Sequence, residues 1–345
     1  MFENTSITSL ESLGEFGLID HLTKKIQLKH PATIKGVGDD AAVIKNAEGK
    51  CTLITTDLLL EGIHFDLGYF PLKHLGYKAV IVNLSDIYAM NAKPKQILVS
   101  IGVSSKFSLE AIEEIYSGIH AACAQYNVDL VGGDTSASKQ GIVISITAIG
   151  EAAEDEIVYR NGAKEFDLVC VTGDLGGAYM GFQLLEREKR IYVNNPELQP
   201  DLSGHDYILE RQLKPEARKD VIDILKALNI KPTSMIDISD GLSSELFHIA
   251  SQSDIGISIY EDKIPMDPAT FNMARELELD PTLCTLSGGE DYELLFTIKQ
   301  SDFEKVNNHP DITVIGHCTA KSEGMNLITK NGNKHTLLAQ GWKAF

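Results

Sequence analysis

The sequence predicts an α/β (α+β) protein of two domains built on mixed sheets. Three observations carry this. Segments rich in β-branched residues alternate with stretches of helical spacing along all 345 residues, the pattern of strands and helices packed in layers. At about 150 residues per domain, that length suggests two domains. The strand predicted over residues 142–150 gives way to the acidic stretch EAAEDE, which sets the expected units at 1–150 and 151–345.

The elements follow in order. Residues 13–27 read as a short helix, and 51–57 (CTLITTD) as a strand with abrupt polar ends. Residues 71–91 have helical spacing, with Leu72, Leu75, Ala79, Val82 and Asp86 near one face. A strand over 96–103, a helix over 108–126, a short strand over 128–131 ending at GGD and a strand over 142–150 complete the first half. The second half opens with a strand over 167–172, a glycine-rich turn and a helix from about 176 to 188. Residues 190–210 are polar and irregular and read as a lid or a plain surface insertion, the second being favoured. A helix over 216–229, a strand over 234–238 and a helix over 241–252 follow, then strands near 256–260, 292–298 and 312–317. Asn331-Gly332 marks a terminal hairpin.

Composition narrows the function. Thirty-one basic against 49 acidic residues leave a net charge of −18. Nucleic acid and anionic membrane both need a positive footprint, so neither is an expected partner. No apolar run approaches the roughly 18 residues of a membrane span. The N-terminal stretch MFENTSITSLESLGEF has no basic region followed by an apolar one, so no signal peptide is expected. The five cysteines (Cys51, Cys123, Cys170, Cys284, Cys318) are scattered and form no CxxC. That argues against a disulfide framework or zinc site and for reduced thiols in a cytoplasmic protein. There is no GxxxxGK[ST], no GxSxG and no HExxH, and Gly36-Val37-Gly38 does not complete a dinucleotide fingerprint.

What the chain does have is acid beside glycine or inside apolar sequence: GVGDDAAVI (Asp39, Asp40), LITTDLLLEGIHF (Asp57, His64), VNLSDIYAM (Asp86), DLVGGDTSAS (Asp134), SMIDISDGL (Asp237, Asp240) and LSGGEDYELLF (Glu290, Asp291). Each alone has a plain structural reading. Asp240 fits a helix cap; Asp134, Asp57 and Glu290 fit turns; Asp39-Asp40 fits a loop end; His64 fits a structural histidine. Asp86 is harder to dismiss, standing mid-helix on an apolar face. As a set they need neutralising, because a buried carboxylate without a partner costs several kcal/mol, and these segments hold few lysines or arginines. Hard oxygen ligands in this number suit Mg²⁺, Mn²⁺ or Ca²⁺.

With these segments in order, the chain resembles the thiamine-monophosphate kinase family. GVGDDAAVI, TTDLLLEGIHF, YKAVIVNLSDIYAMNAKP, VGGDTS, RNGAK, VTGDLGGAYMG, RQLKPEAR, IDISDGLSSEL and LSGGEDYEL carry the resemblance, from residue 36 to 295. The pairing of TTD…GxHF with SGGEDYEL is specific to this branch of a superfamily that also holds aminoimidazole-ribonucleotide synthetase, selenophosphate synthetase and a hydrogenase-maturation dehydratase. The resemblance implies ATP-dependent phosphorylation of thiamine monophosphate to thiamine diphosphate. It also implies a homodimer whose N-terminal sheets join in a shared barrel beside a layered C-terminal α/β domain.

Site roles come with it. Asp40, Asp57, Asp86, Asp134, Asp237 and Asp240 are implied ligands of several Mg²⁺ ions, with oxygens from Thr55 and Thr56. Gly133, Asp134, Arg160 and Ser239 are implied ATP contacts, with Tyr116 on a looser match. His64 and Glu290 are implied contacts of thiamine monophosphate, with Phe345 and nearby Trp342 where the family places an aromatic. Thr55 stands where a close relative has serine, and NAKP where GADP is common. The acceptor phosphate, with a second pKa of about 6, is already a dianion near neutrality, so no general base is expected. Two other readings stay open: a sister ATP-using activity of the superfamily, and a non-catalytic sensor of thiamine phosphates or nucleotide.

Overall fold

A computed structural model describes residues 10–139 and 141–338. The chain opens with α1 (Gly14–Thr23), which buries none of its residues. A six-stranded sheet follows, from β1 (Thr33–Lys35), β2 (Ala42–Lys45), β3 (Lys50–Leu60), β4 (Lys93–Val103), β5 (Asp129–Ala137) and β6 (Val143–Ala153), in the order β1-β2-β3-β6-β4-β5. All neighbours are antiparallel except β4 and β5, which α3 (Leu109–Tyr126) connects. The expected boundary at 150/151 falls inside β6, and the chain leaves this sheet at Ala153.

Helix α2 (Leu72–Ala89) crosses from β3 to β4 and carries the fold. The sequence suggests one apolar face; instead every residue from Leu75 to Ala89 except Asp86 is buried. A helix apolar all round belongs in a core, and α2 lies between the six-stranded sheet and β8 of the second sheet. It meets α3 through two glycines. A Cβ on Gly76 would lie 1.8 Å from the Ile115 carbonyl oxygen, and one on Gly118 would lie 1.8 Å from that of Lys73. Only glycine permits that approach.

The second sheet has seven strands in the order β13-β12-β9-β11-β7-β10-β8. They are β7 (Leu168–Thr172), β8 (Ser234–Asp237), β9 (Gly256–Tyr260), β10 (Leu294–Ile298), β11 (Ile312–Thr319), β12 (Met325–Ile328) and β13 (Lys334–Thr336). β12 and β13 are the hairpin expected at Asn331-Gly332. One core joins α2, α3 and α6 (Lys219–Ala227) to Phe296 and Ile298 of β10. A second lies under α7 (Leu242–Ser253). A third lies among α4 (Gly177–Asn194), α5 (Asp206–Leu213), α8 (Pro268–Glu276) and α9 (Pro281–Ser287). A short helix, α10 (Phe303–Val306), precedes β11.

Several expectations shift. β5 does not stop at GGD but runs through it to Ala137. The stretch 190–210, expected to be irregular, holds the end of α4 and the start of α5. The sequence reading passes over α8 and α9, although each opens on an Asp-Pro pair. Asp267 and Asp280 accept from the amides of Ala269 and Thr282, the cap-then-proline start signal. Among the described residues no helix is long and apolar enough to cross a membrane.

Candidate active site

The seam between the sheets collects the acids. Asp40 precedes β2, Asp86 lies on α2 and Asp237 ends β8, and one carboxylate oxygen of each lies within 4.8 Å of the others. Thr55 on β3 donates its hydroxyl to Asp86 Oδ2 at 2.5 Å, and Ser85 donates to Asp237 Oδ2 at 2.6 Å. Asp57 faces the same cavity, its amide held at 3.0 Å by the Asn83 side chain from α2. Arg160, in the connection after β6, donates Nε and Nη2 to Asp40 Oδ1 at 3.0 and 2.6 Å. Asp40 Oδ2 is buried and has no hydrogen-bond partner.

Burial pushes these carboxylates up. Asp40 reaches about 7 against the pull of Arg160. Asp57, Asp237 and Asp240 reach about 6, burial being the first cause in each. Asp86 goes well above its ordinary value, through burial and then the charges of Asp57, Asp237 and Asp40. A hard divalent cation fits this site. The donors are all oxygens, one buried oxygen is orphaned, and one arginine serves several acids.

A cavity of about 750 Å³ opens beside the cluster. The i, i+4, i+8 stripe Lys78, Val82 and Asp86 of α2 forms one wall. The 61–71 connection supplies His64, Asp66, Tyr69 and Phe70; α4 supplies Tyr179, Phe182, Glu186 and Lys189; the turn before β10 supplies Glu290 and Tyr292. His64 Nδ1 accepts from the Leu60 amide at 3.0 Å, which leaves the ring proton on Nε2. Burial lowers its pKa, so it stays neutral.

The turn is strained and tied. Glu290 and Tyr292 have φ of 57° and 51°, in the left-handed region. Glu290 donates its amide to Ser239 O at 2.7 Å, and Tyr292 donates to Ile238 O at 2.9 Å. The turn thus lies against the segment that carries Ser239 and Asp240. Asp240 is not the cap of α7, which begins after Gly241; its amide is bound by Glu245 Oε1 at 2.8 Å. Next to Glu290, Asp291 accepts from the amides of Gly176 and Ala178, so a protein carboxylate already fills the glycine-rich start of α4. Glu293, bound by Arg211 at 2.8 Å and by Arg218, braces β10 below.

The structure therefore brings together Asp40, Asp57, Asp86, Asp237, Asp240, Thr55, Arg160, Ser239, His64 and Glu290. It leaves others apart. Thr56 alternates to the opposite face of β3, bonded to Ile146 O at 3.1 Å. Gly133 and Asp134 lie on exposed β5 at the sheet edge, with Asp134 opposite Ser100. Tyr116 packs on α3 at 6.2 Å from the ring of His120, away from the cavity. Phe345 and Trp342 lie outside the described residues.

Residues 38–152, nearly all of the six-stranded sheet, match the family described as AIR synthase related protein, N-terminal domain. A thiamine-monophosphate kinase of Bacillus subtilis is 33% identical over 338 residues, spanning 96% of this chain and 100% of the relative. The chain belongs to the thiamine-monophosphate kinase family. The family's member from Aquifex aeolicus is 35% identical over 337 residues, spanning 97% and 99% of the two chains. A solved member, AaThiL complexed with AMPPCP and TMP, superposes with a TM-score of 0.84 at 33% identity, covering 99% of this chain and 100% of its own.

For a kinase of this family, sequence reasoning overlooked Lys78. It stands inside the apolar run YKAVIVNLSD, the same signal that singles out Asp86 eight residues later. Gln212 and Lys189 carried no such signal, since polar residues in polar stretches read as surface; Asp66 did stand in an apolar run, GIHFDLGYF, and was passed over.

Proposed function

We propose that this chain transfers a phosphoryl group from ATP to thiamine monophosphate, giving ADP and thiamine diphosphate, the last step of thiamine diphosphate synthesis. The observation that carries this reading is the meeting of Asp40, Asp86 and Asp237 at one end of a cavity walled by His64 and Glu290, in a chain that matches kinases of this family along nearly its whole length.

Asp40, Asp57, Asp86, Asp237 and Asp240 would hold Mg²⁺, which neutralises phosphate charge and aligns donor and acceptor when bound. Thr55 and Ser85 hold Asp86 and Asp237 in place by hydrogen bonds, so the carboxylates need no rearrangement to act together. Arg160 keeps Asp40 oriented and offers its remaining donors toward ATP beside Ser239. Neutral His64 contributes an Nε2 donor for the acceptor substrate, and Glu290 an anionic acceptor. No residue has to remove a proton, because the attacking phosphate oxygen is already ionised. Transfer is then direct, in line and without a phosphoenzyme.

The same reading gives a homodimer. Leu58 and Val131 are half exposed on the first sheet, and Thr56, Gly133 and Asp134 lie exposed with them on β3 and β5. A second copy covering this face would close the two sheets into a shared barrel and bring β5 toward the nucleotide. Residues 1–150 then serve nucleotide, metal and dimerisation, and 151–345 complete the site as the layered domain. Two soluble phosphorylated substrates suit a cytoplasmic enzyme.

The test is to mix the protein with ATP, Mg²⁺ and thiamine monophosphate and follow thiamine diphosphate as fluorescent thiochrome, with thiamine as the control acceptor. Mg²⁺-dependent product from the monophosphate alone is expected. No product despite ATP binding would overturn the reading, and radioactive phosphate trapped on the protein would overturn direct transfer.

A further inference from the structure

We infer that Lys78 is a positioning residue for the acceptor: with Gln212 it fixes the Glu290 carboxylate as the anionic contact of the positively charged ring of thiamine monophosphate. The inference rests on the proposed kinase reading and names a part of that substrate.

Lys78 sits in the interior of α2, and its side chain is 1% exposed. A lysine so buried needs a partner. Its Nζ lies 2.9 Å from Glu290 Oε1, 3.3 Å from the Gln212 carbonyl oxygen and 5.5 Å from the centre of the Phe70 ring. Gln212 Nε2 donates to the other oxygen, Glu290 Oε2, at 2.9 Å, while Gln212 Oε1 has no hydrogen-bond partner. The amide is thus turned so that its donor serves Glu290. Both carboxylate oxygens are held, and the backbone beneath is pinned in the left-handed region by Ser239.

This is a costly arrangement for a surface acid, yet Glu290 keeps 32% of its side chain exposed at the cavity. Two of its roughly four lone-pair directions are taken and the rest stay open. Along the axis of α2, Lys78 stands about 12 Å from Asp86, so the anionic clamp is set apart from the Asp40, Asp86 and Asp237 trio although the Glu290 backbone adjoins Ser239 and Asp240. The cavity is also lined by Phe70, Tyr69 and Tyr179, while its other acids, Asp66 and Glu186, are already paired with Lys189 at 2.6 and 3.6 Å. A carboxylate with open lone pairs beside aromatic rings suits an organic cation.

The experiment measures KM for thiamine monophosphate and for ATP, and kcat, in wild type, Lys78→Met, Lys78→Arg and Glu290→Gln. Each is run with thiamine monophosphate and with a neutral analogue in which carbon replaces the ring nitrogen. Lys78→Met is expected to raise KM for thiamine monophosphate about tenfold while KM for ATP moves less than twofold, with Lys78→Arg recovering most of the loss. Against the neutral analogue the penalty shrinks below threefold. An equal penalty on both acceptors, or a parallel change in KM for ATP, overturns the inference. Should Lys78→Met fail to fold by circular dichroism, Gln212→Met, which removes the other support of the Glu290 carboxylate, is read by the same split. Wild type that makes no thiamine diphosphate defeats the kinase reading; active wild type with no split in the variants defeats this inference alone.

Discussion

Ser85 on α2 donates its hydroxyl to the Asp237 carboxylate at the end of β8 across 2.6 Å, although 152 residues separate the two. Ser85 precedes Asp86, so one turn of α2 both presents an acid to the cluster and steadies another from the second sheet. The site exists only where the two sheets meet. Its integrity and the packing of α2 are one property.

Asp86→Asn should separate function from fold. Turnover is expected to fall by about 10²–10³-fold, the scale of losing one preorganised electrostatic group. The thermal midpoint in EDTA should rise, because burial and three neighbouring acids make the ionised form unfavourable. Thiochrome assays and melting curves check both; a variant that keeps its activity would sink the idea.

Stability without metal should decline as pH rises. Asp40 at about 7, and Asp57, Asp237 and Asp240 at about 6, all lie above their ordinary value. The folded chain therefore binds more protons than the unfolded one between about pH 4 and 7, and it loses stability across that window. Mg²⁺ should raise the midpoint more at about pH 8 than at about pH 5.5, since the carboxylates must be ionised to bind it. A melting series in EDTA and in Mg²⁺ tests this, and equal gains at both pH values would refute it.

Arg160→Met leaves Asp40 buried without its cation. The expected loss is about 3 kcal/mol in EDTA, the scale for breaking a buried pair, and Mg²⁺ should restore much of it. KM for ATP should rise as well. Denaturant titrations with and without Mg²⁺ measure the first effect, and an identical loss in both would count against Asp40 as a ligand.

Gly76→Ala tests the α2–α3 crossing. The new Cβ would meet the Ile115 carbonyl oxygen at 1.8 Å, so the helices must separate, at a cost of about 3 kcal/mol. A midpoint within a degree or two of wild type would show that the contact yields easily.

Val131→Asp tests the dimer. Val131 is 56% exposed on β5, outside the cavity. Light scattering should give a dimer for wild type and a monomer for the variant; a dimer in both would place the interface elsewhere.

Many residues of the candidate site stood out in the sequence. Asp86 stood out because a carboxylate inside an apolar helical run has no cheap place to go. Asp237 stood out inside the apolar segment SMIDI, and Asp240 beside the glycine that follows it. Asp134 sent the same local signal and yet lies on an exposed edge strand, because a Gly-Gly-Asp run looks the same whether it turns or continues in a sheet. Asp240 resembled a helix cap, but the helix starts beyond it and Glu245 takes its amide. β1 and β2 were too short to show a period, and α8 and α9 were announced only by their Asp-Pro pairs.

By itself the sequence determined the class of the fold, the order of most elements and the residues with chemistry to offer. Those depend on local period, on chain-breaking residues and on the cost of burying charge, all of which act between near neighbours. Tertiary structure alone decided which acids meet, that Arg160 sits on Asp40, that Lys78 and Gln212 grip Glu290, and that α2 is buried on every side. Those outcomes depend on the strand order of two sheets and on the single helix between them. Contacts between residues far apart in the chain leave no spacing to read.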